Sequence, residues 1–200
     1  MFMKLKSLLV IAALFLLVNT ANGQERRRMV GFELSAGPSV ALNKVGDYRM
    51  NVGKGIEGIF TFMPMEKFGL FAGWGWNLFK KDIYDFEDNG YMFGLQFKNK
   101  ISKSPFSYYL RAGGLYNHIE VEDATTNAEG AFRSDSGHGL GLHASGGAQY
   151  DLGKGWSVTS NLKFQHLKRD VELPDLNGEA VQTSVNLNYI ALRIGIVKYF

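Results

Sequence analysis

The sequence contains no cysteine, only four prolines in 200 residues, and one long apolar run. Without cysteine there is no disulfide scaffold, no thiolate-ligated zinc or iron–sulfur centre, no thiol nucleophile and no lipid anchor on an N-terminal cysteine. The apolar run, Ser7 to Val18, is shorter than the ~20 residues that a helix needs to cross a bilayer core. A mean hydropathy of −0.11 likewise excludes a bundle of membrane helices. Charge of one sign is also scarce, since the formal sum is +3. What the chain has in excess is glycine, 24 residues, or 12% against the usual ~7%.

Residues 1–23 read as a secretory signal peptide. Lys4 and Lys6 supply a positive start, the apolar run follows, and Ala21 and Gly23 place small residues at the −3 and −1 positions of a cleavage site. The predicted organisation is therefore a leader, 1–23, and one domain, 24–200. Cleavage removes two basic residues and leaves 20 basic against 19 acidic, a net of +1. The high isoelectric point then gives no reason to expect a nucleic-acid partner.

The remainder alternates with period two, apolar on one face and small or polar on the other, in eight stretches. They are Val30–Leu42, Gly53–Met63, Phe68–Phe79, Gly90–Lys98, Phe106–Val121, Gly139–Leu152, Trp156–Lys168 and Val185–Phe200. In the fifth stretch the alternation blurs after Gly113-Gly114, which predicts a β-bulge there. Short connections (64–67, 99–105 and about 153–155) alternate with long ones (about 43–51, 80–89, 122–138 and 169–184). Consecutive antiparallel strands would place all the long loops at one end and both termini at the other. The long loops and their flanking strand ends carry 14 of the 19 acids. The short turns and chain start are basic, with Arg26, Arg27, Arg28, Lys67, Lys100, Lys103 and Lys154.

Three features assign the apolar face to the outside and the polar face to a lumen. The polar face is rich in glycine and serine rather than lysine and glutamate, which suits a crowded interior better than a solvated sheet. Its charges nearly balance, Glu33 and Glu57 against Arg111, Lys163 and Arg193, as a closed interior requires. Aromatic residues (Phe62, Phe68, Phe106, Tyr150, Trp156 and Phe200) end the apolar stripes beside the short turns, where an interfacial belt would lie. The predicted fold is all-β, an eight-stranded antiparallel up-and-down transmembrane β-barrel. Eight strands enclose a space that side chains fill. Glu33, Glu57, Tyr109, Arg111, Gln149, Lys163 and Arg193 are expected to pack it as a salt-bridge and hydrogen-bond network, without a wide pore.

The last strand, Arg193-Ile194-Gly195-Ile196-Val197-Lys198-Tyr199-Phe200, carries a more local pattern. A polar residue, glycine two positions later, alternating hydrophobics and a terminal aromatic resemble the assembly signal of the small bacterial outer-membrane β-barrel family of the OmpA/OmpX type. Lys198 stands where that pattern has an apolar residue, and a lysine at an interface can reach out to water. The resemblance implies an outer-membrane location with periplasmic termini and recognition by the assembly machinery through Arg193, Gly195 and Phe200. It also implies lipid and lipopolysaccharide as surroundings, and a monomer.

Catalytic and metal signals are sparse. His143-Ala144-Ser145 resembles the His-x-Ser pair of the outer-membrane lipid A deacylases. However, both residues fall on the lumen face, and the next acid after Asp151 is Asp170, assigned to a loop. No catalysis is therefore expected. His118, His138, His143 and His166 show no metal-ligand spacing. Asp82, Asp85, Glu87 and Asp88 form an acidic run without the ordered pattern of a calcium loop. No cofactor and no metal are expected. A structural or surface-interaction role follows, with the acidic long loops as the candidate contact to an extracellular ligand. The alternatives are a small porin-like channel, a lipid A-modifying hydrolase, and a soluble secreted barrel that binds a small ligand.

Overall fold

The computed structural model describes residues 28–44, 49–81, 84–123, 133–174 and 180–200. The leader, with Ala21 and Gly23, lies outside them. The strands are β1 (Val30–Ala41), β2 (Gly53–Phe62), β3 (Phe68–Lys81), β4 (Tyr84–Lys100), β5 (Phe106–Asp123), β6 (Arg133–Asp135), β7 (Gly139–Gly153), β8 (Trp156–Pro174) and β9 (Ala180–Tyr199). Every pairing is antiparallel, and pairing of β1 with β9 and of β4 with β5 closes the sheet into a ring. The short β6 is not a ninth stave. β7 pairs with Phe106 to Asn117 of β5, and β6 pairs with Glu120 to Glu122, so β6 continues the position of β7 further along β5. The barrel therefore has eight strands, with both described ends of the chain at the short-turn end, where the Phe200 N–H donates to the Val30 carbonyl at 2.9 Å.

The alternation has the polarity of a membrane barrel. Outward residues such as Leu95 (65% exposed) and Ile194 (60%) are apolar, whereas Glu33 and Arg193 on the inner face are fully buried. Aromatic rings border this band. Phe106 packs on Tyr150 at 4.9 Å near the short turns, and Lys198 lies over the Trp156 ring at 4.9 Å while donating to the Lys154 carbonyl. At the other border the Trp74 and Trp76 indoles donate to Asn89 (2.7 Å) and Glu87 (3.0 Å). From Phe68 to Trp76 is about 27 Å along the strand. A tilt of ~40° reduces this to a height of about 20 Å, close to the apolar band of an outer-membrane barrel.

Two sequence expectations need correction. No bulge interrupts β5 at Gly113-Gly114, because both ladders run through these positions in register. Gly94 instead faces Gly113 across the β4–β5 pair, and a Cβ on either residue would lie 2.7 Å from the other's Cα. The two glycines permit close strand approach, and the register shift lies elsewhere, at Asp151/Gly153. The second correction concerns the long connections. Residues 80–89 are mostly strand, paired as far as Lys81 with Tyr84, and β8 and β9 pair as far as Pro174 with Ala180. Asp170 is thus in β8 and exposed, not in a loop.

These extensions explain why the alternation blurs. β8 and β9 have 19 and 20 residues, about twice the ~9–11 that cross a bilayer. Beyond the band the strand geometry persists while the surrounding medium changes. Along β5, Phe106, Tyr108, Leu110 and Tyr116 face out, then Ile119 and Val121 face in. Along β8, Trp156, Val158, Leu162 and Phe164 face out, then Leu167 and Val171 face in. Lys168, Asp170 and Glu172 take the outer face there. In β9, β4 and β3 the residues Val185, Leu187, Phe86 and Phe79 make the same exchange. They form a buried apolar core inside the projecting end. Water outside favours apolar burial within, whereas lipid outside leaves the lumen to polar groups.

Candidate functional site

The lumen is stacked in layers. At the short-turn mouth is a cavity of about 430 Å³ bordered by Arg28, Glu66, Lys98, Lys100, Asp151 and Tyr199. Its inner wall is hydrogen-bonded. Lys98 Nζ donates to Tyr199 Oη (2.9 Å) from above the ring, and the Tyr199 hydroxyl donates to Gln149 Oε1 (2.8 Å). Above this wall, the Arg111 guanidinium donates to Glu33 Oε2 (2.6 Å) and to Gln96 Oε1 (2.7 Å), and sits 4.6 Å from the Tyr109 ring centre. The Tyr109 hydroxyl pairs with that of Thr159 at 3.0 Å.

The next layer centres on Glu57. Its Oε1 accepts from Arg193 Nε at 2.9 Å and from Lys163 Nζ. Arg193 also donates to the carbonyls of Gly37 (2.8 Å) and Pro38 (2.9 Å), to Ser39 Oγ (2.9 Å) and to Asn77. Gly55 leaves room for this guanidinium, since a Cβ there would lie 2.5 Å from Arg193 Nη2. Asn77 donates to Tyr189 Oη (2.8 Å), whose hydroxyl donates to Asp88 Oδ2 (2.6 Å), and Asn117 also donates to Asp88. Arg169 Nη2 donates to Asn117 Oδ1 at 2.8 Å and completes the layer beneath the apolar core.

Glu33, Glu57, Tyr109, Arg111, Gln149, Lys163 and Arg193 are all buried on the inner face. The expected network leaves out Asp88, Asn77, Gln96, Asn117, Gln165, Arg169 and Tyr189. Strand parity does put Asn77, Gln96, Gln165 and Tyr189 on the inner face, Asn77 together with Phe71 on β3, but a search for charge pairs does not count them in the network. Asp88 went unseen because its acidic neighbours resemble a solvated loop. In β4 the run divides, with Asp88 buried inside while Asp85 and Glu87 stand on the other face beside Lys80 and Trp76. Asp82 lies outside the described residues. With Asp88 the buried charges are three acids, Glu33, Glu57 and Asp88, against four bases, Arg111, Lys163, Arg169 and Arg193.

His143 and Ser145 do not form a nucleophile–base pair. His143 is buried, contacts Phe71 edge-on at 5.6 Å, and has no hydrogen-bond partner on either ring nitrogen. Ser145 occupies the register position between Arg111 and Lys163. Of the last-strand pattern, Arg193 is buried in the lumen and Gly195 lies against Ser35, where a Cβ would meet Ser35 Cβ at 2.5 Å. Outside the lumen, partial burial pushes the Asp135 carboxyl up. Hydrogen bonds from the His118 ring and the Gly137 N–H outweigh this and hold it below the usual carboxylate range.

A closed eight-stranded ring with an apolar outer band and a lumen of buried ion pairs defines a transmembrane β-barrel of the small outer-membrane type. Solved structures share this architecture. The Neisserial surface protein A, NspA, superposes with a TM-score of 0.63 at 16% identity, over 86% of this chain and 97% of that one. OprG from Pseudomonas aeruginosa gives 0.56 at 14% identity over 87% and 97% of the two chains. The outer membrane protein AlkL, determined in DMPC bilayers, gives 0.55 at 14% identity over 91% and 95%. No protein-family model and no curated protein sequence matches the chain. The likeness is therefore one of fold.

Proposed function

We propose that the protein is a bacterial outer-membrane barrel with a structural or surface-interaction role, neither a wide pore nor an enzyme. The occluded lumen carries this reading. Glu57, Lys163 and Arg193 fill its section, and the space beside Asn77, Asp88 and Asn117 is about 10 Å³, roughly the room one water needs. An apolar core then closes the projecting end. A rigid extension of this kind presents a polar outer surface beyond the lipid, where binding surfaces on scaffolds commonly lie. In this reading the leader directs export, and Arg193, Gly195 and Phe200 engage the assembly machinery. The chain ends are periplasmic, and the barrel stands as a monomer among lipid and lipopolysaccharide. Planar-bilayer recordings of the refolded barrel are expected to show no stable nanosiemens-scale state. A reproducible open state of that size would favour the channel reading instead.

A further inference from the structure

Where β5 leaves the apolar band, its outer face changes from Tyr116 to His118, Glu120 and Glu122. The short β6 pairs there so that Glu120 stands directly opposite Asp135. Two like charges in direct cross-strand register destabilise a sheet unless a cation lies between them. Arg133 compensates on one side only, binding Glu120 Oε2 at 3.2 Å and Glu122 Oε1 at 2.9 Å. The other oxygen, Glu120 Oε1, is turned toward His118 Nδ1 at 3.6 Å, and Asp135 Oδ1 lies 3.0 Å from the same nitrogen.

From these contacts we propose that His118, Glu120 and Asp135 form a binding site for a divalent transition metal, with Zn²⁺ the best-fitting ion. One donor atom from each of the three residues lies within 4.8 Å of the other two. Metal–ligand bonds of ~2.0–2.1 Å at the tetrahedral angle put neighbouring donors about 3.3 Å apart. The separations of 3.0 and 3.6 Å bracket that figure. One imidazole nitrogen with two carboxylate oxygens suits zinc and its neighbours rather than calcium or magnesium, which take oxygen ligands alone. Three protein ligands leave a fourth position for water or an outside donor.

The donors are held in place by their surroundings. The His138 ring stacks on His118 at 4.5 Å and 10°, and Tyr116 packs on His138 at 5.2 Å. Asp135 is fixed by the Gly137 N–H at 2.8 Å, in a turn that Gly137 makes with φ of +66°. Ser136 binds that turn to Ile119 through both its N–H (3.0 Å) and its hydroxyl (2.9 Å). Linear spacing hides the site, because Asp135 reaches Glu120 only through the β5–β6 pairing. The site lies on the outer wall and is independent of whether the lumen conducts.

The test is calorimetric titration of ZnCl₂ into the untagged mature chain, refolded in detergent, with heat-modifiable gel migration checking the fold of each variant. Saturable binding of one zinc per chain is expected. His118→Ala and Asp135→Asn should each weaken it at least about tenfold, while His166→Ala, whose ring pairs with Asn188, leaves it unchanged. Millimolar Ca²⁺ or Mg²⁺ should not displace the zinc. Absence of saturable binding, or wild-type affinity in folded Asp135→Asn, overturns the proposal. Asp135 is half exposed, so that variant reads the site even if His118→Ala fails to fold.

Discussion

Replacing Glu57 by glutamine is expected to lower the unfolding free energy of the barrel by about 3–5 kcal/mol, the usual cost of breaking a buried ion pair by removing one partner. Glu57 is 1% exposed and bound to both Lys163 and Arg193, themselves 1% and 0% exposed. Its loss leaves two cations in an enclosed section, and Arg193 is tied to Gly37, Pro38 and Ser39 and cannot turn away. Adding Lys163→Met to Glu57→Gln should recover part of the loss, because one of the stranded charges then disappears. Urea unfolding of the refolded chain measures both. A loss under about 1 kcal/mol, the size of one ordinary hydrogen bond, would mean that the layer is not a coupled network.

Phe79→Ala is expected to cost a similar amount, about 3–5 kcal/mol, for a different reason. Phe79 is fully buried in the projecting end, its ring 5.4 Å from that of Tyr189. Removing the ring opens a cavity that surrounding strands fill only in part. Phe60 provides the contrast. It is 52% exposed on the lipid face, where acyl chains can occupy the vacated volume. Phe60→Ala should therefore cost clearly less in the same unfolding experiment. Equal losses would mean that the projecting strands do not enclose a water-excluding core.

The ring of strands was readable from the sequence because its cause is local. Alternation puts Glu33 inside and Leu34 outside wherever the strand runs, and lipid on one side makes the two faces chemically distinct. The lumen charges Glu57, Lys163 and Arg193 were readable for the same reason. The projecting ends were not. At Ile119, Val121, Leu167 and Val185 the apolar residues change sides although the strands do not, because water replaces lipid outside. A rule based on apolar parity therefore loses its phase at the membrane border and assigns the paired residues further out, as in 80–89 and 169–184, to loops. Asp88 was lost to that rule, although its partners Asn77, Asn117 and Tyr189 converge from three other strands. The His118 cluster depends on a three-residue strand and on a cross-strand pair, neither of which has a periodic signature.

The exchange of faces along a single strand is the central claim, and the absence of cysteine makes it directly measurable. Single cysteines placed along β8 and spin-labelled in lipid bilayers report contact with lipid-soluble oxygen or a water-soluble nickel complex. Labels at Val158, Leu162 and Phe164 should favour oxygen, and labels at Lys168, Asp170 and Glu172 should favour nickel. Labels at Thr159, Lys163 and Leu167 should be shielded from both. The account is contradicted if Lys168, Asp170 and Glu172 report lipid like Leu162, or if the inner positions are as open to nickel as the outer ones.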